Sequence, residues 1–175
     1  MASIGNYAYV LKCKLAVAKS RKVDDPLRLA HAVRHLGDAY SYARRAEQAE
    51  PCYVEALSIY RGAEHTRPLD LANAIRSFAV LKDENGETGE AQRLWQEAHD
   101  LYVAASDAPD ITESWRRGVL GGVAESAARL ALLARRQGDL EQSRKWLSKA
   151  SAAAEASDDP ETLEYMREVR AQIEA

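Results

Sequence analysis

A chain of 175 residues with 24 basic and 27 acidic side chains, net charge −3, has the length for one domain that buries roughly two-thirds of its unfolded surface. It lacks the basic field that nucleic acid or an anionic membrane would demand. Its two cysteines, Cys13 and Cys52, sit among helically spaced apolar residues and read as reduced thiols. No stretch approaches the roughly 20 mainly apolar residues that span a bilayer, and the amino terminus lacks an apolar run followed by a small-residue cleavage site, so the chain is expected in the cytoplasm. Abundant alanine and scarce β-branched residues favour helices over sheets.

Residues 4–22 place Tyr7, Val10, Leu11, Leu15 and Ala18 at helical spacing and are predicted to form the second helix of an incomplete hairpin, which caps the amino end of the chain. From Pro26 the sequence repeats itself. Pro26-Leu27 recurs as Pro68-Leu69, and the same offset of 42 residues aligns Leu29 with Leu71, Ala30 with Ala72, Ala32 with Ala74 and Arg34 with Arg76. The register holds through a second helix: Ala49 meets Ala91, Glu55 meets Glu97, Ala56 meets Ala98 and Tyr60 meets Tyr102, while Tyr53 and Leu36 meet the bulky Trp95 and Phe78. A third copy comes at an offset of 52, pairing Ala72 with Ala124, Ala79 with Ala131, Leu81 with Leu133, Gly86 with Gly138 and Ala98 with Ala150. Self-similarity at such a period signals a stack of like supersecondary units.

Within each copy the apolar residues recur at steps of three and four, as in Leu29, Val33, Leu36 and Tyr40 and again in Ala49, Tyr53, Ala56 and Tyr60, the pattern of two amphipathic helices. Pro26, Pro68, Pro109 and Pro160 stand where helices are predicted to open, since the first-turn N–H has no intrahelical partner. Asp25 and Asp159 precede two of them as N-caps, and Gly86 and Gly138 fall at the turns between paired helices. The ten extra residues of the third copy lie within 110–122, a stretch holding Trp115, Arg116, Arg117, Gly118, Gly121 and Gly122. They either lengthen the first helix of that copy, with a bend at the glycine pair, or form a separate short helix. A last helix, 160–174, carries Leu163, Met166, Val169 and Ile173 on one side and caps the carboxyl end. The expected architecture is all-α, a single domain of stacked antiparallel helix hairpins with repeats at about 26–67, 68–108 and 109–158.

Small residues opposite bulky ones in paired helices, here Val33, Leu36-Gly37, Tyr40, Ala49, Tyr53 and Ala56, resemble the tetratricopeptide repeat. The period of 42, with Ala49-Glu50-Pro51-Cys52-Tyr53 and Glu55-Ala56-Leu57-Ser58-Ile59-Tyr60, resembles the longer repeat of the kinesin light-chain type, over roughly residues 26–160. Lys82 departs from the pattern at a position where an aromatic is expected, Arg44 where a turn glycine is expected and Ser143 where an alanine is expected. The resemblance implies an α-α superhelix whose concave side, lined by the first helix of each pair, holds a peptide segment of a partner protein. On this chain the corresponding positions are His31, Arg34, Asp38, Ser41 and Tyr42 in the first copy, Asn73, Arg76, Asp83 and Glu84 in the second, and Glu125, Ala128, Leu132, Arg135 and Arg136 in the third. Such side chains can pair with carboxylates and backbone amides of an extended ligand; Arg34 and Arg76, which repeat, are the sharpest candidates. The alternative for both is a helix-face charge held by Asp38 and its neighbours. The Lys and Asn pattern with which some members clamp a terminal carboxylate is not reproduced.

Catalysis finds no footing in the sequence: no nucleophile, base and oxyanion-binding turn can be assembled, and no glycine loop follows a strand to cradle phosphate. His31 and His35 share a helix face, but zinc needs three or four ligands and no third completes the set. No cofactor or metal is expected. Trp95 and Trp146 read as core. Trp115, outside the repeat register, is expected to cover a gap between copies, with anchoring of a partner or of a second copy of the chain as the alternative. The expected function is that of a non-catalytic scaffold or adaptor; a sensor module that binds a small signalling peptide or ligand and acts through another protein or self-association is the alternative.

Overall fold

The computed structural model describes residues 4–174, which form eight helices and, among the described residues, no strand. They are α1 (Ile4–Ser20), α2 (Pro26–Tyr42), α3 (Ala46–Gly62), α4 (Pro68–Glu84), α5 (Thr88–Ser106), α6 (Glu113–Arg136), α7 (Leu140–Ser157) and α8 (Pro160–Glu174). They group into two compact units, one holding α1 to α4 and the other α5 to α8.

Local chemistry sets most of the boundaries. Asp25 accepts the Arg28 N–H at 2.9 Å while Pro26 opens α2, and Asp159 accepts both the N–H and the hydroxyl of Thr162, at 2.8 and 2.7 Å, where Pro160 opens α8. Pro68 opens α4 without a side-chain cap; Arg67 instead pairs with Asp70 at 2.8 Å. Pro109 does not open a helix, contrary to the sequence expectation: α6 begins at Glu113, because the Thr112 hydroxyl supplies an acceptor for the Trp115 N–H. Gly86 and Gly138 adopt left-handed φ of 78° and 81°, and Arg44 takes the same role in the α2–α3 turn at φ 58°. The extra residues of the third copy lengthen α6 at its amino end to 24 residues, and the helix runs through the glycine pair unbroken.

In the first unit α2 and α3 form a hairpin, α1 packs on α2, α4 packs on α3, and α2 and α4 lie side by side. Val10, Cys13 and Val17 of α1, Ala30 and Val33 of α2, Tyr53, Ala56 and Leu57 of α3, and Ile75 and Phe78 of α4 are buried. Tyr53 and Phe78 meet with ring centroids 5.8 Å apart. Each buried Val, Leu, Ile or Phe adds about 1.5–3 kcal/mol of transfer free energy, and alanines between them let the helix axes approach. In the second unit α6 and α7 form the hairpin, with α5 on α6 and α8 against both α6 and α7. Leu94, Trp95 and Tyr102, Val119, Val123 and Leu130, Ala150 and Ala154, and Met166, Val169 and Ile173 line its interior. Trp95 is core as expected. Trp146 is half-buried, edge-on to His99 at 5.1 Å. Trp115, expected to pack within the chain, is instead 55% exposed on the first turn of the lengthened α6.

Candidate functional site

On α2 the candidate residues at steps of three and four share one face. Arg34 and Asp38 are mostly buried and 3.4 Å apart. His35 sits between them, with Nδ1 3.4 Å from the Asp38 carboxylate and Nε2 3.1 Å from the Arg34 guanidinium. An arginine only donates, so His35 Nε2 accepts and its Nδ1–H points at Asp38; His31, 3.1 Å away from that same Nε2, must then present an N–H. Asp38 also accepts the Tyr53 hydroxyl at 3.0 Å, and Ser77 of α4 reaches it as well. Burial pushes the Asp38 carboxyl upward, but His35, Arg34, Ser77 and Tyr53 outweigh it and hold the group below the ordinary aspartate value. Burial and the facing Asp38 push the Tyr53 phenol well above its ordinary range. Burial, His35 and Arg34 lower the His31 imidazole.

This array ties three helices together and fixes Arg34 by contacts inside the chain. The exposed members of the face are His31 at one end and Tyr42, 71% exposed, at the other. Ser41 is half-buried beside Tyr42. On α4 Asn73, Arg76 and Asp83 are half-buried, and Glu84 is exposed and 3.4 Å from Arg44. In the second unit Glu125 is half-buried on α6, while Ala128 is fully buried. Arg135 and Arg136 are exposed at the carboxyl end of α6, and the Arg135 Nε–H donates to the Ile173 carbonyl at 3.2 Å.

Sequence reasoning noticed Lys82 only as a departure from the repeat and missed Arg129 and His99 altogether. Lys82 is only 3% exposed, with its ammonium 2.7 Å from Glu50, 2.8 Å from Glu87 and 5.2 Å above the Phe78 ring. In the first copy the same register position is Tyr40, with Arg45 5.4 Å over its ring. Aromatic plus cation in one copy has thus become cation plus carboxylate in the next, and the paired exchange at offset 42 was visible in the sequence. Arg129 lies 5.9 Å from both the Trp95 and the Tyr165 rings, its Nε buried without a hydrogen-bond partner among the described residues. His99 is 6% exposed, with Nδ1 3.1 Å from the Ser126 hydroxyl. Neither of these last two carries a local signal.

The chemistry on offer is recognition by charge, hydrogen bond and ring. Both cysteines are free thiols; burial and Glu55 push Cys52 up to about 11, and burial likewise raises Cys13. Neither has the depressed pKa of a nucleophile. No group of three or more His, Cys, Asp or Glu among the described residues is placed to hold a metal ion, and no described helix is long and apolar enough to cross a membrane.

No protein-family model matches the chain, and no curated protein matches it. Solved structures do. BtubC (BKLC) from P. vanneervenii superposes with a TM-score of 0.66 at 18% identity, over 98% of this chain and 74% of that one. A candidate kinesin light chain from Podosopora anserina with nearly identical TPR-like repeats superposes with a TM-score of 0.60 at 14% identity, over 97% of this chain and 87% of that one. A methionine-substituted variant of that protein gives the same score and identity, with 85% of its chain covered. The repeat register, the helix hairpins and these superpositions agree that the chain has the all-helical TPR-like repeat fold seen in kinesin light-chain repeat structures.

Proposed function

We propose that the chain is a non-catalytic, cytoplasmic protein-interaction module that takes a peptide segment of a partner polypeptide on the first-helix faces of its repeats, with α2 and α4 as the principal face in the first unit. The observation that carries this reading is the α2 face itself. Arg34, His35 and Asp38 are held in one hydrogen-bonded array, and His31 and Tyr42 project from either end of it into solvent. A ring and an imidazole mounted on a fixed support lose little freedom on binding, which is what a recognition surface needs. Asn73, Arg76, Asp83 and Glu84 extend the polar character onto α4; in the second unit Glu125, Arg135 and Arg136 are the polar candidates on α6. The fold shared with TPR-like repeat structures and the two free, unactivated thiols support the same reading.

The test is affinity capture from the source lysate with mass-spectrometric identification, using wild type and a His31→Ala/Tyr42→Ala double variant. Both side chains are exposed, so the variant should melt at the wild-type temperature. A polypeptide captured by wild type and lost with the variant is the expected result. Equal capture by both would sink the α2 face as the binding surface.

A further inference from the structure

The repeat register reaches back into α1. Tyr7, Leu11 and Leu15 stand 42 residues before Ala49, Tyr53 and Leu57 of α3, which α2 helps to bury to 0%, 2% and 4% exposure. In α1 the three equivalents are 71%, 50% and 57% exposed. At about 100° per residue they form a stripe centred roughly 130° around α1 from Val10, Cys13 and Val17, the residues buried toward α2. A helix with a second apolar stripe besides its buried one is shaped to lie between two neighbours, and among the described residues α1 packs on one, α2. Lys12, Lys14 and Lys19 edge the stripe, α1 contains no Asp or Glu, and Lys12 and Lys19 also rim a cleft of about 450 Å³ with Arg28, His31 and His35.

We propose that the Tyr7–Leu11–Leu15 face of α1 is a docking surface for one amphipathic α-helix of a partner polypeptide, acidic along its flanks and seated against α1 as α2 is seated against α3. The α2–α3 pair states what the apolar side of that helix must look like: small residues opposite bulky ones, as Gly37 lies opposite Tyr53. The lysines state what its flanks must carry, since like charges across a helix pair are repulsive and opposite ones select the partner. A second copy of α1 fits poorly, because it would bring another lysine-edged helix without a single carboxylate against the first. The apolar stripe of this surface lies on α1, not on the α2 and α4 face proposed above, although its lysines Lys12 and Lys19 share a cleft with His31 and His35 of α2.

The probe is a fluorescent synthetic peptide as long as α2, keeping the spacing of Ala30, Val33, Gly37 and Tyr40 and carrying glutamates on both flanks, beside a lysine-flanked version. Binding is read by anisotropy against wild type, Leu11→Asp/Leu15→Asp and Tyr42→Ala. The proposal expects the glutamate peptide to bind wild type and Tyr42→Ala equally, at least about tenfold more tightly than the lysine peptide does, and to lose at least about tenfold in the double aspartate variant, whose circular dichroism should match wild type. Absence of binding, equal binding of the two peptides, or undiminished binding to the double variant overturns it. A wild-type dimer in sedimentation that the double variant abolishes also overturns it, by making the second copy the occupant.

Discussion

The Tyr53 ring occupies the space that a side chain at residue 37 would take: a Cβ built on Gly37 falls 2.8 Å from the ring carbon Cε1. Tyr53 cannot swing aside freely, because it is 2% exposed and its hydroxyl donates to Asp38 at 3.0 Å. Gly37→Ala gains helix propensity but forces the α2–α3 hairpin apart, so a net loss of about 1–3 kcal/mol is expected. Urea unfolding of the two proteins checks it.

The α6 glycines should separate by position. A Cβ on Gly122 would lie 2.7 Å from the Tyr102 ring, whereas one on Gly118 meets nothing within 4 Å. Gly122→Ala is expected to destabilise by about 1–3 kcal/mol through overpacking, and Gly118→Ala to stabilise by roughly 0.5–1 kcal/mol through reduced unfolded-state freedom and better helix propensity. Thermal melts showing the same sign for both would contradict this account.

Arg44 holds a left-handed backbone at φ 58° that its repeat equivalents assign to Gly86 and Gly138. Its ion pair with Glu84, 3.4 Å long and with the arginine side chain 81% exposed, contributes little in water. Arg44→Gly is therefore expected to raise stability by about 0.5–1 kcal/mol, measured as a shift of the urea midpoint at unchanged slope.

Lys82 offers a discriminating pair of substitutions. Lys82→Ala leaves a cavity beside Phe78 and removes the ammonium between Glu50 and Glu87, and should cost about 2–4 kcal/mol. Lys82→Met keeps the volume without the need to desolvate a cation; because both glutamates remain partly exposed to water, it should be within about 1 kcal/mol of wild type or more stable. A methionine variant as damaged as the alanine variant would show that the charge itself holds this corner together.

Acid should weaken the second unit through His99. Burial lowers its pKa, with Lys149 adding to the effect and Asp100 and a backbone bond at Val123 opposing it; Ser126 and the Trp146 edge complete its surroundings. Because the folded value lies below the unfolded one, near 6.5, the unfolded chain binds the proton first. The stabilisation from neutral His99 is complete above about pH 6.5 and is lost as pH falls from there toward the folded value. His31 has the same sign, whereas Asp38, also lowered, responds only below the ordinary aspartate value of 3.8. The melting temperature should thus fall between about pH 7.5 and 5.5, and less steeply in His99→Gln.

The sequence was most legible where structure is set locally. Offsets of 42 and 52 located the helix pairs, and Asp25, Asp159, Gly86 and Gly138 took the backbone roles that their chemistry allows. Pro109 misled because an unrestrained proline marks a break as readily as a start, and Thr112 supplied the better cap. Whether the extra residues of the third copy extended a helix was open to either reading, since three glycines argue against a continuation that the buried Val119 and Val123 reward. The candidate face was legible as a set of positions and no further. Periodicity states that His31, Arg34, Asp38 and Tyr42 share a side of α2, but Tyr53 and Ser77, which help to fix Asp38, come from other helices. Lys82 was noticed as a departure, while its answer in Glu50 lies 32 residues away.

The exchange of Tyr40 and Arg45 for Lys82 and Glu87 also acts as a key against misassembly. Repeats of one period invite a folding chain to seat α2 where α4 belongs. That mistake would set the Tyr40 phenol beside Glu50, leaving a carboxylate without its cation, and would bring the Lys82 ammonium to the place of the Tyr40 ring, which the Lys14 ammonium overlies at 5.8 Å. Each wrong seating exposes or buries a charge that the right one neutralises, so the same pair of substitutions that blurs the repeat makes its copies non-interchangeable.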